Sequence, residues 1–495
     1  MCARSSWPLP ILCVCSLLGA AALSPAAAEA QDEAVIDALA AVLAAEDARR
    51  HDRLLFQEAS RHPDPAVRRH AALAMGRIGD SEATPSLIEL LADPDTAVRE
   101  DAAFALGLLA DATTLPHLHE LLLDAGTDRQ TELHVEVATA IAKIGGPEAA
   151  GFFRELLVRW SSDIESGTPP YIAATLLGEA WRLGPHAPVA VLAQFTDAPR
   201  EEVRRGAVYS LGRLRSPEAA GALLAATEDN DALVRSWAAN ALTAAFADSA
   251  GLDRGAAATR LTLLVTDTDP GVRVNALRSL ATYRDEGYAS AAAGAVADPE
   301  ANVRVQALAT LGDLGGSDAA PLLLQYVDDG PLAMRRQALL GLAGVDRGVA
   351  LTRAAAWITD ATDWQRRAIG AAALGGIGGD TALGWLESLV YDDPDGRVVA
   401  AAFESLARRD PATGRYLAGR LLTHPDPVVR TLAAGQVQEQ PRAADVDPLI
   451  EAYGIAIEDP IPDARITIVE ALGAVAALGW SQRLAVEERF LRRFP

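Results

Sequence analysis

Apolar positions recur along this chain with two nested periods. Within short segments they fall three and four residues apart, the spacing that paints one face of an α-helix. Over longer stretches a whole pattern returns: DPDTAVREDAAFALGLLAD begins at Asp93, HPDPAVRRHAALAMGRIGD at His62, DAPREEVRRGAVYSLGRLR at Asp197 and DPEANVRVQALATLGDLGG at Asp298. Taking the apolar residue before each arginine as a marker gives Val67, Val98, Val203, Val234, Val272, Val303, Met334, Val429 and Ala464. Val67 and Val98, Val203 and Val234, Val272 and Val303, and Val303 and Met334 all lie 31 residues apart. Weaker copies start at Thr131, Tyr171, Asp363 and Gly396. The period predicts about thirteen units across residues 32 to 480.

Each unit reads as two helices. In one, Pro85 opens a short helix whose face carries Leu87, Ile88, Leu90 and Leu91; Pro116, Pro321 and Pro448 stand in similar places. The turn Ala92-Asp93-Pro94-Asp95 follows, with Asp95 or Thr96 as N-cap of the second helix. That helix presents Val98, Ala102, Ala105, Leu106 and Leu109 on one stripe, and its small alanines admit a close neighbour. Gly79, Gly145, Gly184 and Gly315 fall where a helix end favours a left-handed residue. A two-helix unit cannot bury both faces alone, so the copies must stack, and the fold class is an all-α solenoid.

The motif D-P-x-x-x-V-R-x-x-A-x-x-x-L-G resembles the HEAT-repeat family, in particular the short bacterial units grouped with phycobilisome-lyase-like repeats. An arginine in the first turn of a helix opposes the positive end of the macrodipole, so its repeated use calls for a compensating partner. The nearest candidates are the turn aspartates Asp64, Asp95, Asp269 and Asp426. The resemblance implies an aspartate–arginine ladder between units, with rungs at Arg68, Arg99, Arg204, Arg235, Arg273, Arg304, Arg335, Arg430 and Arg465. A row of ligand-binding arginines is the alternative, but a periodic residue serves a periodic structure. At Val399 the arginine is replaced, and the ladder should break there.

Composition agrees with helices. Half of the 495 residues are apolar but only 5% are aromatic, and Lys143 is the sole lysine. The net charge of −23 leaves no basic tract to hold nucleic acid. Residues 1–30 carry Arg4, an apolar run from Leu9 to Leu23 and an Ala28-Glu29-Ala30 ending, the pattern of a secretory signal cleaved after Ala30. Neither Cys13 nor Cys15 fits a lipoprotein signal, so a lipid anchor is the weaker reading. All three cysteines lie in this segment, which removes disulfides, thiolate catalysis and cysteine–zinc sites from an exported chain. No later apolar run is long enough to span a bilayer, so the expected location is periplasmic or extracellular.

The remaining chemistry is thin. His117 and His119 point about 200° apart on a helix and cannot easily share a metal; His134 and Glu136 follow. Di-iron hydroxylases of the HEAT-like type need repeated His-Glu pairs, whereas here Ala71 follows His70, and His119-Glu120 sits on a first helix. The run Leu374–Gly379 reads as a helix end and turn, with no strand before it and no lysine after it. DDPDG at 392–396 lacks the spaced oxygens of a calcium loop. No catalytic residue, metal or cofactor is therefore expected.

Function must lie where the copies differ. The irregular stretch from Phe152 to Trp181 supplies aromatic partner-binding candidates, Trp160, Tyr171 and Trp181, with gap-filling as the plainer account. Residues 481–495 read as a terminal amphipathic helix of an incomplete repeat. The chain as a whole resembles the N-terminal solenoid of exported bacterial cyclophilin-type peptidylprolyl isomerases, but no cyclophilin segment is present in it. The reading is an exported, noncatalytic scaffold that binds protein partners. Its alternative is the scaffolding part of a prolyl isomerase.

Overall fold

The computed structural model describes residues 25–123, 131–165, 172–316, 318–360 and 362–494. Among these there are 30 α-helices, six short 3-10 turns and no strand. The chain divides into two compact units, one of residues 1–191 with 198–206 and one of residues 192–197 with 207–495.

In the first unit the second helices Pro65–Ile78, Thr96–Leu109 and Thr131–Ile144 pack side by side. The first helices Thr84–Leu90 and Leu115–Leu123 lean on them from one side. The helix Pro25–Asp47 lies against Pro65–Ile78 in the place of an earlier second helix, and it runs without interruption through the expected cleavage position at Ala30. In the second unit the same arrangement runs from Ala232–Ala241 to Asp463–Ala476. The terminal amphipathic helix expected over residues 481–495 spans Trp480–Arg493.

The sequence dictates these elements locally. Asp95 accepts the amides of Ala97 and Val98, and Asp64, Asp269 and Asp426 cap their own helices in the same way. Val67, Val98, Val272, Val303 and Val429 are all completely buried, as the stripe requires. Gly79 takes the left-handed helical conformation (φ 80°, ψ 21°). Gly145, Gly184 and Gly315 do not: their φ values are 68°, 55° and 76° but ψ lies at −158°, −128° and −147°, so the chain swings away rather than closing a left-handed cap. Ala110, which lacks a glycine's freedom, does occupy the left-handed region.

Small residues set the spacing between second helices. A Cβ placed on Gly76 would lie 2.7 Å from Ala105 Cα, and one on Gly107 would lie 2.9 Å from Ala140 Cα. In the second unit a Cβ on Gly312 would come within 2.3 Å of Gly341 Cα, and one on Gly375 within 2.7 Å of the Ser405 side chain. Backbones this close exchange dispersion contacts along their whole length, which larger side chains would forbid.

Candidate functional site

The repeated arginine is a two-way clamp. Arg68 donates Nη1 to the carbonyls of His62 (2.8 Å) and Pro63 (3.0 Å), in the turn just before its own helix. Its Nε and Nη2 then reach forward to the two oxygens of Asp93, at 2.7 and 2.9 Å, in the next unit's turn. Asp93 in turn accepts the Asp95 amide at 2.9 Å, which fixes the turn that carries the next N-cap. Arg235 repeats this with Asp267 at 2.7 and 2.8 Å, and Arg273 donates Nη2 to Asp298 at 2.8 Å, its Nε lying in ion-pair contact with the other carboxylate oxygen without a hydrogen bond. Arg430 pairs with Asp459 and donates to the carbonyls of His424 and Pro425.

This geometry corrects the expected partners. Asp64, Asp95, Asp269 and Asp426 are occupied as helix caps, and the arginines pair instead with the aspartate two positions earlier in the following turn. The macrodipole objection disappears as well, because each guanidinium folds back onto carbonyls rather than sitting over the amide end of its helix. Arg367, absent from the predicted set, makes the same bidentate pair with Asp393 at 2.7 and 3.2 Å. For the other members the described partners are carbonyls of their own turns: Ala198 and Pro199 for Arg204, Asp298 and Pro299 for Arg304, Gly330 for Arg335 and Ile457 for Arg465. Arg99 holds the Asp93 carbonyl at 2.5 Å and Thr96 Oγ1 at 2.8 Å.

Val399 is buried at 1% exposure and offers no donor. The residue that would have received its hydrogen bonds has changed with it. In the next turn His424 stands where Asp93, Asp267 and Asp298 stand in theirs, and its Nδ1 accepts the Asp426 amide at 3.0 Å. Because a backbone amide can only donate, this nitrogen carries no proton. Burial lowers the His424 pKa, the same direction, against the opposing influence of Asp426. Around this joint the helices Gly396–Arg409 and Pro427–Glu439 pack less extensively than the second-helix pairs on either side. Installing the missing rung as Val399→Arg with His424→Asp should therefore raise stability, while each single change lowers it by burying an unpaired charge. A double-mutant cycle in urea should return a coupling energy of about 1.5–3 kcal/mol; a coupling near zero would remove the rung as the explanation of the pattern.

The paired carboxylates titrate accordingly. Burial pushes Asp93 up, but the Arg68 guanidinium and the Asp95 amide outweigh it and hold the carboxyl below its ordinary value. Asp267 and Asp298 are lowered for the same reasons, by Arg235 and Arg273. A depressed folded-state pKa contributes stability that is complete above the unfolded value, about 3.9, and is lost as pH falls through the folded one. The stability gap between the parent chain and Asp298→Asn should thus be constant from neutral pH to about pH 5 and close only below about pH 4. Thermal unfolding across pH measures it; a gap that closes between pH 6 and 8 would contradict the assignment.

The aromatic and histidine candidates have differing surroundings. Trp160 caps the helix Gly146–Arg159 and is only 7% exposed, so it fills the interior of the irregular repeat and offers little to a partner. Trp181 is half-buried with the Arg182 guanidinium 4.6 Å over its ring. Tyr171 lies outside the described residues. His119 stacks on Phe152 with ring centroids 3.9 Å apart, and among the described residues no three histidine, cysteine or acidic side chains converge as metal ligands. Leu374–Gly379 is a helix end and turn, with the Gly378 carbonyl held by Arg347 at 2.7 Å.

What varies is the outward face of the second helices. It carries Arg69, His70 and Arg77 on one helix of the first unit, and Glu100, Asp101, Phe104 and Leu108 on the next. Burial, with Glu132 and Asp101 nearby, raises the Glu100 pKa, a sign of concentrated negative charge there. In the second unit Tyr209 and Trp237 meet edge to face at 5.1 Å, with Arg213 over the tyrosine ring at 5.7 Å. Further along, Phe403, Glu404, Thr431, Gly435, Gln436 and Thr467 line a cleft of about 600 Å³ across three successive second helices. The sequence points to differences in the irregular stretch Phe152–Trp181, whereas these lie within regular second helices, where only the structure separates outward from buried positions.

The chain matches the family model described as HEAT repeats over residues 52–134, 160–243, 257–343 and 351–438, well over half its length. It belongs to the HEAT-repeat family. No curated protein matches it. Among solved structures, the Kap95:Nup1 complex matches at 15% identity and a TM-score of 0.51, covering 88% of this chain and 67% of that one. Importin beta, crystallised in ammonium sulfate, matches at 15% identity and a TM-score of 0.48 over 89% and 68% of the two chains. The complex of CpcE and CpcF of phycocyanin lyase from Nostoc sp. PCC7120 matches at 18% identity and 0.32, over 54% and 95%. These likenesses concern the fold: an α-solenoid. No helix among the described residues is long and apolar enough to cross a membrane.

Proposed function

We propose that this protein is an exported, noncatalytic scaffold that binds another protein across the outward face of its second helices. One observation carries the reading. The buried positions of the second helix repeat from unit to unit, whereas its outward positions do not, passing from Arg69 and His70 to Glu100 and Asp101, then to Trp237, then to Asn275 and Arg278. A scaffold needs the first set constant; only recognition uses the second, and mixed aromatic and charged residues are what protein interfaces favour. The solved complex of a like-folded chain, Kap95 with Nup1, supports the same use of the fold.

A photo-crosslinking side chain in place of Trp237 should capture a partner in the exported fraction, while the same group at Leu263, 60% exposed on the first helix Arg254–Leu264, should not. Equal capture from both positions, or none from residue 237, would contradict the proposal. The exported chain should begin at Gln31. Prolyl isomerisation of a test peptide should run at its uncatalysed rate in its presence; acceleration would favour the isomerase alternative.

A further inference from the structure

We infer that the outward face of the second unit takes an acidic peptide segment of its partner, extended and with an apolar residue between carboxylates, across Tyr209, Arg213, Trp237, Asn275 and Arg278. The inference rests on the reading that this face binds a protein.

Charge selects the occupant. The helices Ala232–Ala241 and Pro270–Ala281 contain no aspartate or glutamate, nor do residues 207–214, in a chain with 67 acidic residues against 44 basic ones. The aspartates of the intervening turns are committed: Asp229 to the Asp231 amide, Asp231 and Asp269 to their own helix amides, and Asp267 to Arg235. Arg213 and Arg278 are both exposed on these helices. At physiological salt, charges act over about 8 Å, so a ligand here meets the local guanidinium groups rather than the net charge of the chain.

The side chains are also arranged for a ligand. Trp237 stands where Asp101, Asn275 and Gln306 stand in their helices, so stacking of the repeats does not require an aromatic there. It meets Tyr209 edge to face at 5.1 Å, and the Arg213 guanidinium lies over the tyrosine ring at 5.7 Å. Asn275 donates to Ser236 Oγ at 2.8 Å and accepts Arg278 Nη1 at 3.0 Å. Arg278 has no carboxylate partner among the described residues, so its guanidinium is held in place with its other N–H groups unspent. A carboxylate can take them bidentately while a neighbouring apolar side chain packs on Tyr209 and Trp237.

The probe is a fluorescein-labelled peptide with an Asp-Glu pair on each side of Leu-Pro-Leu, titrated with the full-length chain by fluorescence anisotropy at physiological salt. Saturable binding is expected, tighter by about tenfold or more than that of the Asn-Gln counterpart. It should weaken by about tenfold or more for Arg278→Glu, and for Asn275→Asp, which neutralises Arg278 in place. Neither position belongs to the buried stripe, so both variants should keep the parent's helical content and thermal unfolding. Arg154→Glu, an equal charge change on Gly146–Arg159, should bind as the parent does. Absence of saturable binding, equal binding of the uncharged peptide, tighter binding of a lysine-bearing counterpart or of a single-stranded oligonucleotide, or indifference to residues 275 and 278 would each overturn the inference. So would self-association of the chain that Arg278→Glu abolishes, which would assign the patch to a second copy. A partner crosslinked at residue 237 through a segment free of acidic residues would contradict the inference alone, whereas no capture there contradicts the reading beneath it.

Discussion

Arg430→Ala is expected to destabilise the last repeats by about 3–5 kcal/mol, the loss that follows when one partner of a buried ion pair is removed. Arg430 is 1% exposed; it clamps Asp459 in front and the carbonyls of His424 and Pro425 behind. Alanine leaves the carboxylate nearly buried without its cation and two turn carbonyls without a donor. Removing both partners, as Arg430→Met with Asp459→Ala, should recover a large part of the loss, because an absent pair strands no charge. Stability in a repeat array is a sum of unit and nearest-neighbour terms, so the damage should localise to Pro427–Glu439, Val446–Ala456 and Asp463–Ala476. Urea unfolding followed by hydrogen exchange resolves this where a single global midpoint would not. A loss under about 0.5 kcal/mol, the range of exposed pairs, would show that the clamp is ornamental.

Gly312→Ala should cost about 2 kcal/mol or more, against the sign that helix propensity alone gives. Propensity favours alanine over glycine inside a helix by about 0.5–1 kcal/mol. But the new Cβ would lie 2.3 Å from Gly341 Cα and 2.9 Å from its carbonyl carbon and oxygen. Those are backbone atoms, which cannot rotate away, so the two helices must separate along their length. Gly294 supplies the contrast: nothing lies within 4 Å of its added Cβ, and Gly294→Ala should stabilise by the propensity term. Thermal unfolding of the two variants should therefore shift in opposite directions. A stabilised Gly312→Ala would mean that the second helices do not approach as closely as described.

The fold was legible because its causes are local and periodic. Val98, Ala102 and Leu106 announce a buried stripe, and Asp95 announces a helix start, before any neighbour is known. The clamp was half legible. The arginine's recurrence marks it as structural, but its partner sits 25 residues on for Arg68 and Asp93, in a different unit, and no local rule distinguishes Asp93 from the adjacent cap Asp95. Arg367 escaped because Arg366 replaces the apolar marker before it, although its distance from Arg335 fits the repeat. Likewise His424 gives itself away only beside Val399, once the pairing between turns is known. The outward face was not legible, because periodicity marks the positions a scaffold repeats and leaves the variable ones unassigned to any face.

The most direct test of the claim that these arginine–aspartate pairs tie one repeat to the next is native-state hydrogen exchange on the unmodified chain, read across a joint where both the arginine and its aspartate are replaced. Protection should drop where Gly396–Arg409 meets Pro427–Glu439, with the helices from Pro427 onward opening as a unit of their own, and Val399→Arg with His424→Asp should fuse that unit to its neighbours. Uniform protection across Val399 and His424, unchanged by the double substitution, would contradict the account.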